Sequence, residues 1–194
     1  MLSTSTRKRT NKALDRSARS GVFDLCNVPS SHSVNAKRYP PENRNMTKAD
    51  IDAMIRDEWR SLGFYYTRDD ARHEWRLTGS RDGLRNFSRL LRRYADNPKN
   101  NAKSEHDHLG PYMYLKVMTW PDAGIDENAI HGTLADLKQL ATIVDQTIAE
   151  MKIGETVRIQ SQFVADAEYA IILRATDDET DPSTLDPELS KTSG

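Results

Sequence analysis

The strongest periodic signal along the chain lies in residues 80–96. Leu84, Phe87, Leu90, Leu91 and Tyr94 fall on one side of a helical projection, and Arg81, Arg85, Arg89, Arg92 and Arg93 fall on the other. The spacing predicts an amphipathic helix opened by Ser80. The same logic gives two further helices. TKAD at residues 47–50 offers Thr47 as an N-cap and Asp50 in the first turn, ahead of an apolar stripe of Ile51, Met54, Ile55, Trp59 and Leu62. Thr133 and Asp136 repeat the T-x-x-D signal ahead of a face carrying Leu134, Leu137, Leu140, Ala141, Val144, Ile148 and Met151, and Gly154 is placed to end that helix.

Between the helices the period changes to that of strands. FYYT and HEWRLTG flank the polar residues 68–71 and predict a hairpin. Residues 112–119 carry two alternating sets, Tyr112, Tyr114 and Met118 against Met113, Leu115 and Val117, and both are bulky, as in a central strand covered on two sides. ETVRIQSQFV and EYAIILRA predict a terminal hairpin, and no internal repeat is visible. The expected architecture is a single α+β domain over residues 46–176. It has a four- to five-stranded antiparallel or mixed sheet, two long helices on one face and an extra N-terminal helix at the edge.

Composition assigns the ends of the chain. With 194 residues, 37% of them hydrophobic, there is material for one core rather than two, and a mean hydropathy of -0.75 places polar excess outside it. Residues 1–45 hold nine Lys/Arg against three acids, are rich in Ser and Asn, include Pro40-Pro41 and show no sustained period, the profile of a disordered basic tail. Met46 directly precedes the Thr47 cap, so a natural start there would make the upstream segment an over-extended gene start. Residues 177–194, with six acids and one lysine, read as a disordered acidic tail. The middle is then close to neutral, unlike a surface built for a phosphate backbone, so nucleic acid is not the expected partner and RKRTNK is its only lead. Cys26 stands alone, which excludes an intrachain disulfide and a cysteine-based zinc site. No stretch approaches the roughly 20 apolar residues of a membrane span, and MLSTSTRKRT lacks the apolar segment of a secretory signal. A cytoplasmic protein is expected. The residues carry no signal of oligomeric state.

Candidate chemistry concentrates in EHDHLGPYMYLKVMTW, residues 105–120. His106 and His108, two apart in an extended chain, project to the same side, and Glu105, His73 or His131 could supply a third ligand to a zinc ion. A metal-dependent hydrolase centred on His106 and His108 is therefore one reading. The favoured one has no metal: a polar loop turns at Gly110-Pro111 and feeds a buried strand closed by Trp120. His131-Gly132-Thr133 matches half of a paired H-x-T phosphoesterase arrangement, but Ser31-His32-Ser33 does not supply the other half, and Thr133 reads better as a helix cap. Neither a G-x-S-x-G elbow nor a glycine-rich nucleotide loop is present, so no cofactor is expected. The arginine face, with Arg85, Arg89, Arg92 and Arg93, can pair carboxylates on an acidic protein partner.

The succession WRLTGSRDGLRNFSRLL, HDHLGPYMYLKVMTW and AIHGTLADLKQLA resembles a group of small, mostly uncharacterised bacterial α+β proteins over about residues 46–176. The strand-Gly-helix opening is similar, more remotely, to immunity proteins of polymorphic toxin systems, which neutralise a toxin by binding it. That resemblance implies a non-enzymatic protein-binding module and transfers no catalytic residue.

Overall fold

The computed structural model describes residues 46–191. The basic segment 1–45, with Cys26 and RKRTNK, and the last three residues lie outside the described residues. Helix α1, Lys48–Leu62, begins with the expected capping box: the Thr47 hydroxyl accepts from the Asp50 N–H at 3.2 Å, and the Asp50 carboxylate accepts from the Thr47 N–H at 2.9 Å. Its stripe is buried only toward the C-terminal end, at Trp59 and Leu62, while Ile51 and Met54 stay exposed. The helix stops at Gly63, whose φ of 82° is left-handed, and a Cβ on the facing Gly83 would lie 1.9 Å from the Gly63 carbonyl oxygen. These two glycines let the end of α1 touch the start of the next helix.

Strands β1, Phe64–Asp69, and β2, Glu74–Ser80, form the expected hairpin, with Phe64 opposite Gly79 and Asp69 opposite Glu74. Ser80 caps α2, Arg81–Asp96, which buries Leu84, Phe87, Leu91 and Tyr94, the apolar face read from the periodicity. A 3-10 turn at Pro98–Asn100 leads to β3, His106–Leu109, then β4, Leu115–Thr119, β5, Gly124–Ile125, and β6, Ala129–Gly132. Thr133 and Asp136 form a second capping box at the start of α3, Leu134–Glu150. The chain closes with β7, Thr156–Ile159, β8, Ala170–Thr176, a 3-10 turn at Pro182–Leu185 and a single helical turn, α4, Pro187–Ser190.

The class is α+β, but the strands make two four-stranded mixed sheets rather than one sheet of four or five, in the orders β1-β2-β8-β7 and β3-β4-β6-β5. In each, the two central strands run parallel and each outer strand is antiparallel to its neighbour. The second sheet exists because HDHL and AIHG, which carry no sustained apolar alternation, pair on either side of β4. The helices are accordingly shared. α2 packs on β2 and β8, α3 approaches β6, and the two helices pack on each other. One apolar cluster runs through both sheets and all four helices, α4 contributing Leu189. The sheets are also joined by hydrogen bonds: the Tyr66 hydroxyl donates to the Leu109 carbonyl at 2.5 Å and accepts from the Leu115 N–H at 3.3 Å, and the Trp75 indole donates to the Asp126 carbonyl at 2.8 Å.

Four expected boundaries move. α3 ends at Glu150 with Met151 as its cap, so Gly154, at φ 83°, serves the turn into β7 instead. The strand expected over ETVRIQSQFV stops at Ile159, and residues 160–163 turn away from it. The strand expected over residues 112–119 starts at Leu115; it is central in its sheet, with Leu115 and Val117 buried, but Tyr112, Met113 and Tyr114 belong to the preceding turn. Residues 177–191, expected as part of a disordered acidic tail, instead carry two short helical turns docked on the domain. Asp186 and Leu189 are buried, and Arg60 bonds Asp181 through two nitrogens at 2.9 and 2.7 Å. Asp186 explains the docking. Its carboxylate accepts from the Trp59 indole at 2.8 Å and the Tyr112 hydroxyl at 2.8 Å, and so satisfies a donor that α1 carries into the core.

Candidate functional site

The turn between β3 and β4 is held in an unusual backbone. Gly110 has φ 72°, and a Cβ there would lie 2.8 Å from the Tyr66 ring, so glycine is required both by conformation and by space. Met113 also sits at φ 59°, a region that costs energy for a side chain of its size. The Met113 N–H closes the turn on the Gly110 carbonyl at 3.2 Å, and the His108 Nδ1–H donates to the Met113 carbonyl at 2.6 Å. The result is that Met113 and Tyr114 project outward, 45% and 68% exposed.

Behind them lies a cleft of about 660 Å³, bounded by β1, the 112–116 segment, the turn between β5 and β6 and the docked C-terminal segment. Its walls carry five aromatic rings, Tyr65, Tyr66, Trp75, Tyr112 and Tyr114, among polar and charged side chains. These rings continue into the interior as a connected series. Tyr114 stacks on Tyr112 at 5.9 Å, and Tyr112, Tyr65 and Tyr66 each meet the buried Trp59 edge-on at 6.0, 5.0 and 5.2 Å. Such ring pairs fix one another's orientation. Burial, and then the bond to Asp186, push the Tyr112 phenol well above the ordinary tyrosine range, so this hydroxyl stays protonated and donating at neutral pH.

Charge is unevenly placed around the rings. Asp70, Glu127, Asp186 and Glu188 line the cleft against Arg68 and Lys116. Arg68 is already engaged: it pairs with Asp70 at 2.5 Å, donates to the Glu127 carbonyl and lies 5.7 Å from the Trp75 ring centroid. The Arg68 hydrogen bond holds the Asp70 carboxyl below the usual carboxylate range.

The other candidate residues are dispersed. His106 Nδ1 bonds the Ser104 carbonyl, and its ring meets that of His108 edge-on at 5.0 Å. His131 is on β6, with Nδ1 donating to the Asp122 carbonyl and Nε2 3.4 Å from Asp126. His73 occupies the β1–β2 turn against Tyr169, and what Glu105 contributes is a backbone carbonyl that accepts from Tyr94. Among the described residues no group of three His, Cys, Asp or Glu side chains is arranged to hold a metal ion. Thr133 of the H-x-T is the cap of α3.

The arginine face divides. Arg92 pairs with Asp145 of α3 at 2.5 Å beside Ser88, and Arg81 donates to the Ile148 and Ala149 carbonyls at 3.3 and 3.0 Å; both fasten α2 to α3. Arg89 is exposed and pairs with Asp82 on its own helix, while Arg85 and Arg93 form no ion pair among the described residues.

Residues 74–121 match the family model of Immunity protein 32. This is the likeness expected from the strand-Gly-helix opening, and the Immunity protein 32 match extends from β2 through α2 and β3 to just beyond β4. It takes in Trp75, the Gly110–Tyr114 turn and Lys116, but not β1 or the C-terminal wall of the cleft. Comparison with curated proteins and with solved structures gives no match. No helix among the described residues is long and apolar enough to cross a membrane. Sequence reasoning missed the cleft because its parts are far apart in the chain; the available signal was the run Tyr112-Met113-Tyr114, bulkier than a two-sided strand start requires.

Proposed function

We propose that this protein is an immunity-type inhibitor that works by binding a protein toxin in the cytoplasm, without chemistry of its own, and that the face centred on Tyr114 makes the contact. The observation carrying this reading is the Immunity protein 32 match over residues 74–121, which contains the strained turn and its two outward side chains. Tyrosine and methionine held outward side by side at a cleft are residue types enriched in protein interfaces. Arg85, Arg89 and Arg93 offer a second surface, suited to an acidic patch. The test is to look for a toxin domain among the genes neighbouring this one and to co-express it with this chain. Restored growth and a stable complex on size-exclusion chromatography are expected, and a toxin that stays lethal and unbound would end the reading. Tyr114→Ala compared with an Arg85, Arg89 and Arg93 triple alanine variant then tells which surface is used.

A further inference from the structure

Building on that reading of the Tyr114 face, we infer that the cleft accepts an arginine side chain from a basic segment of the partner protein, seated against the tyrosine rings and neutralised by Glu127 and Glu188. Three features lead to this occupant. The rings of Tyr65, Tyr112 and Tyr114 give the cleft aromatic walls, and such faces attract cations, guanidinium most often. The charged lining is acidic in excess, and after Arg68 is cancelled by Asp70 the remaining carboxylates are Asp186, Glu127 and Glu188 against the single Lys116. Asp186 is consumed by Trp59 and Tyr112; Glu188 is exposed and paired at 2.6 Å with Lys191 in a solvated contact that an incoming guanidinium can displace, and Glu127 is exposed and forms no ion pair among the described residues. Finally, the cleft already holds one guanidinium in this manner. Arg68 lies over the Trp75 ring with a carboxylate at its edge, so the same lining supports that geometry from within the chain.

An arginine fits better than an acidic group reaching Lys116. An acid seated there would face the exposed Glu127 and Glu188, and like charges brought together in a partly dry cleft are strongly disfavoured. Lysine would be held less well, because its compact ammonium lacks the flat face that stacks on a ring and the fork that bridges two carboxylates.

The test uses the full chain and three capped tripeptides, Gly-Arg-Gly, Gly-citrulline-Gly and Gly-Glu-Gly, followed by NMR amide shifts. Citrulline keeps the shape of arginine and removes its charge. The arginine peptide should give saturable shifts at Met113, Tyr114, Lys116 and Glu127, with at least tenfold weaker binding for citrulline and none for glutamate. A Glu127→Gln, Glu188→Gln double variant should weaken the arginine peptide severalfold with its other amide signals unmoved. Absence of saturable cleft shifts, equal binding of citrulline, or preference for the glutamate peptide would each overturn the assignment. The peptide assay needs no toxin, so a chain that rescues growth while its cleft ignores arginine retires this inference alone.

Discussion

Replacing Asp186 by alanine asks whether the C-terminal segment belongs to the cooperative fold. The side chain is 2% exposed and accepts from the Trp59 indole at 2.8 Å, the Tyr112 hydroxyl at 2.8 Å and the Glu188 N–H at 2.9 Å. Trp59 is 0% exposed, so its N–H would be stranded without water, at a cost of about 1–3 kcal/mol. Losing the Tyr112 bond adds about 1 kcal/mol, and losing the cap of α4 about another 1 kcal/mol. Against these, alanine relieves the desolvation of a carboxylate that forms no ion pair among the described residues, which returns part of the loss. The net expectation is destabilisation by about 2–4 kcal/mol. With a slope of about 2 kcal/mol per molar urea, the middle of the usual range, the unfolding midpoint should fall by roughly 1–2 M, read by tryptophan fluorescence and circular dichroism together. Asp186→Asn keeps one acceptor and should lose less. A Trp59→Phe, Asp186→Ala double variant should be less destabilised than the two single losses added, because both remove the same bond. A midpoint shift equivalent to less than about 1 kcal/mol would refute the reasoning and return the segment to the status of a tail.

Four further outcomes follow from the geometry. Leu115→Ala, at a fully buried position of β4, should cost about 2–5 kcal/mol in urea unfolding, and a near-zero effect would mean that the strand's inner face is misassigned. Arg92→Ala should cost only about 1 kcal/mol, since the pair with Asp145 is partly solvated; a loss several times larger in thermal melts would show that the α2–α3 junction depends on it. The Arg60 hydrogen bond holds the Asp181 carboxyl below the usual carboxylate range, so its contribution is complete above about pH 4 and disappears as pH falls through the lowered value. In an NMR titration, Arg60→Ala should raise the Asp181 midpoint toward the ordinary range, with the Ser183 hydrogen bonds still holding it down in part; an unchanged midpoint would remove Arg60 as the main cause. Finally, replacing His106 and His108 together by Gln should preserve the fold, and the purified wild type should contain no stoichiometric metal; zinc near one equivalent that vanishes in the double variant would restore the histidine metal site.

What could be read from the residues was whatever local chemistry decides. Ser80, Thr47 with Asp50, and Thr133 with Asp136 announced the starts of three helices because caps act within one turn. The hairpins were legible because their strands are neighbours in sequence. The parallel pairings of β2 with β8 and of β4 with β6 were not, since no turn joins those strands, and without them one sheet is as consistent with the pattern as two. Tyr112, Met113 and Tyr114 misled because bulky alternation does not distinguish a strand from a turn whose rings serve another surface. The C-terminal turns had a signal that charge obscured. Asp181-Pro182 and Asp186-Pro187 each place a capping acid before a proline at the first helical position, and both form that motif. For the site, the histidines drew attention by residue type, yet the role visible for His108 is to pin the turn that presents Tyr114.

The seam between β2 and β8 has a consequence for biosynthesis. Residues 74–80 are translated about ninety residues before their parallel partner at 170–176, and Asp186 emerges later still. At elongation rates of roughly 5–20 residues per second, the first hairpin and α2 wait several seconds on the ribosome with one edge of β2 unpaired. Long-range parallel pairing is also intrinsically slow to form. The cleft therefore acquires its last wall only after residues 186–188 are made, and a chain still short of them cannot engage a partner through the completed cleft. Under the proposed immunity function, a cell would need a standing pool of finished copies before any toxin arrives.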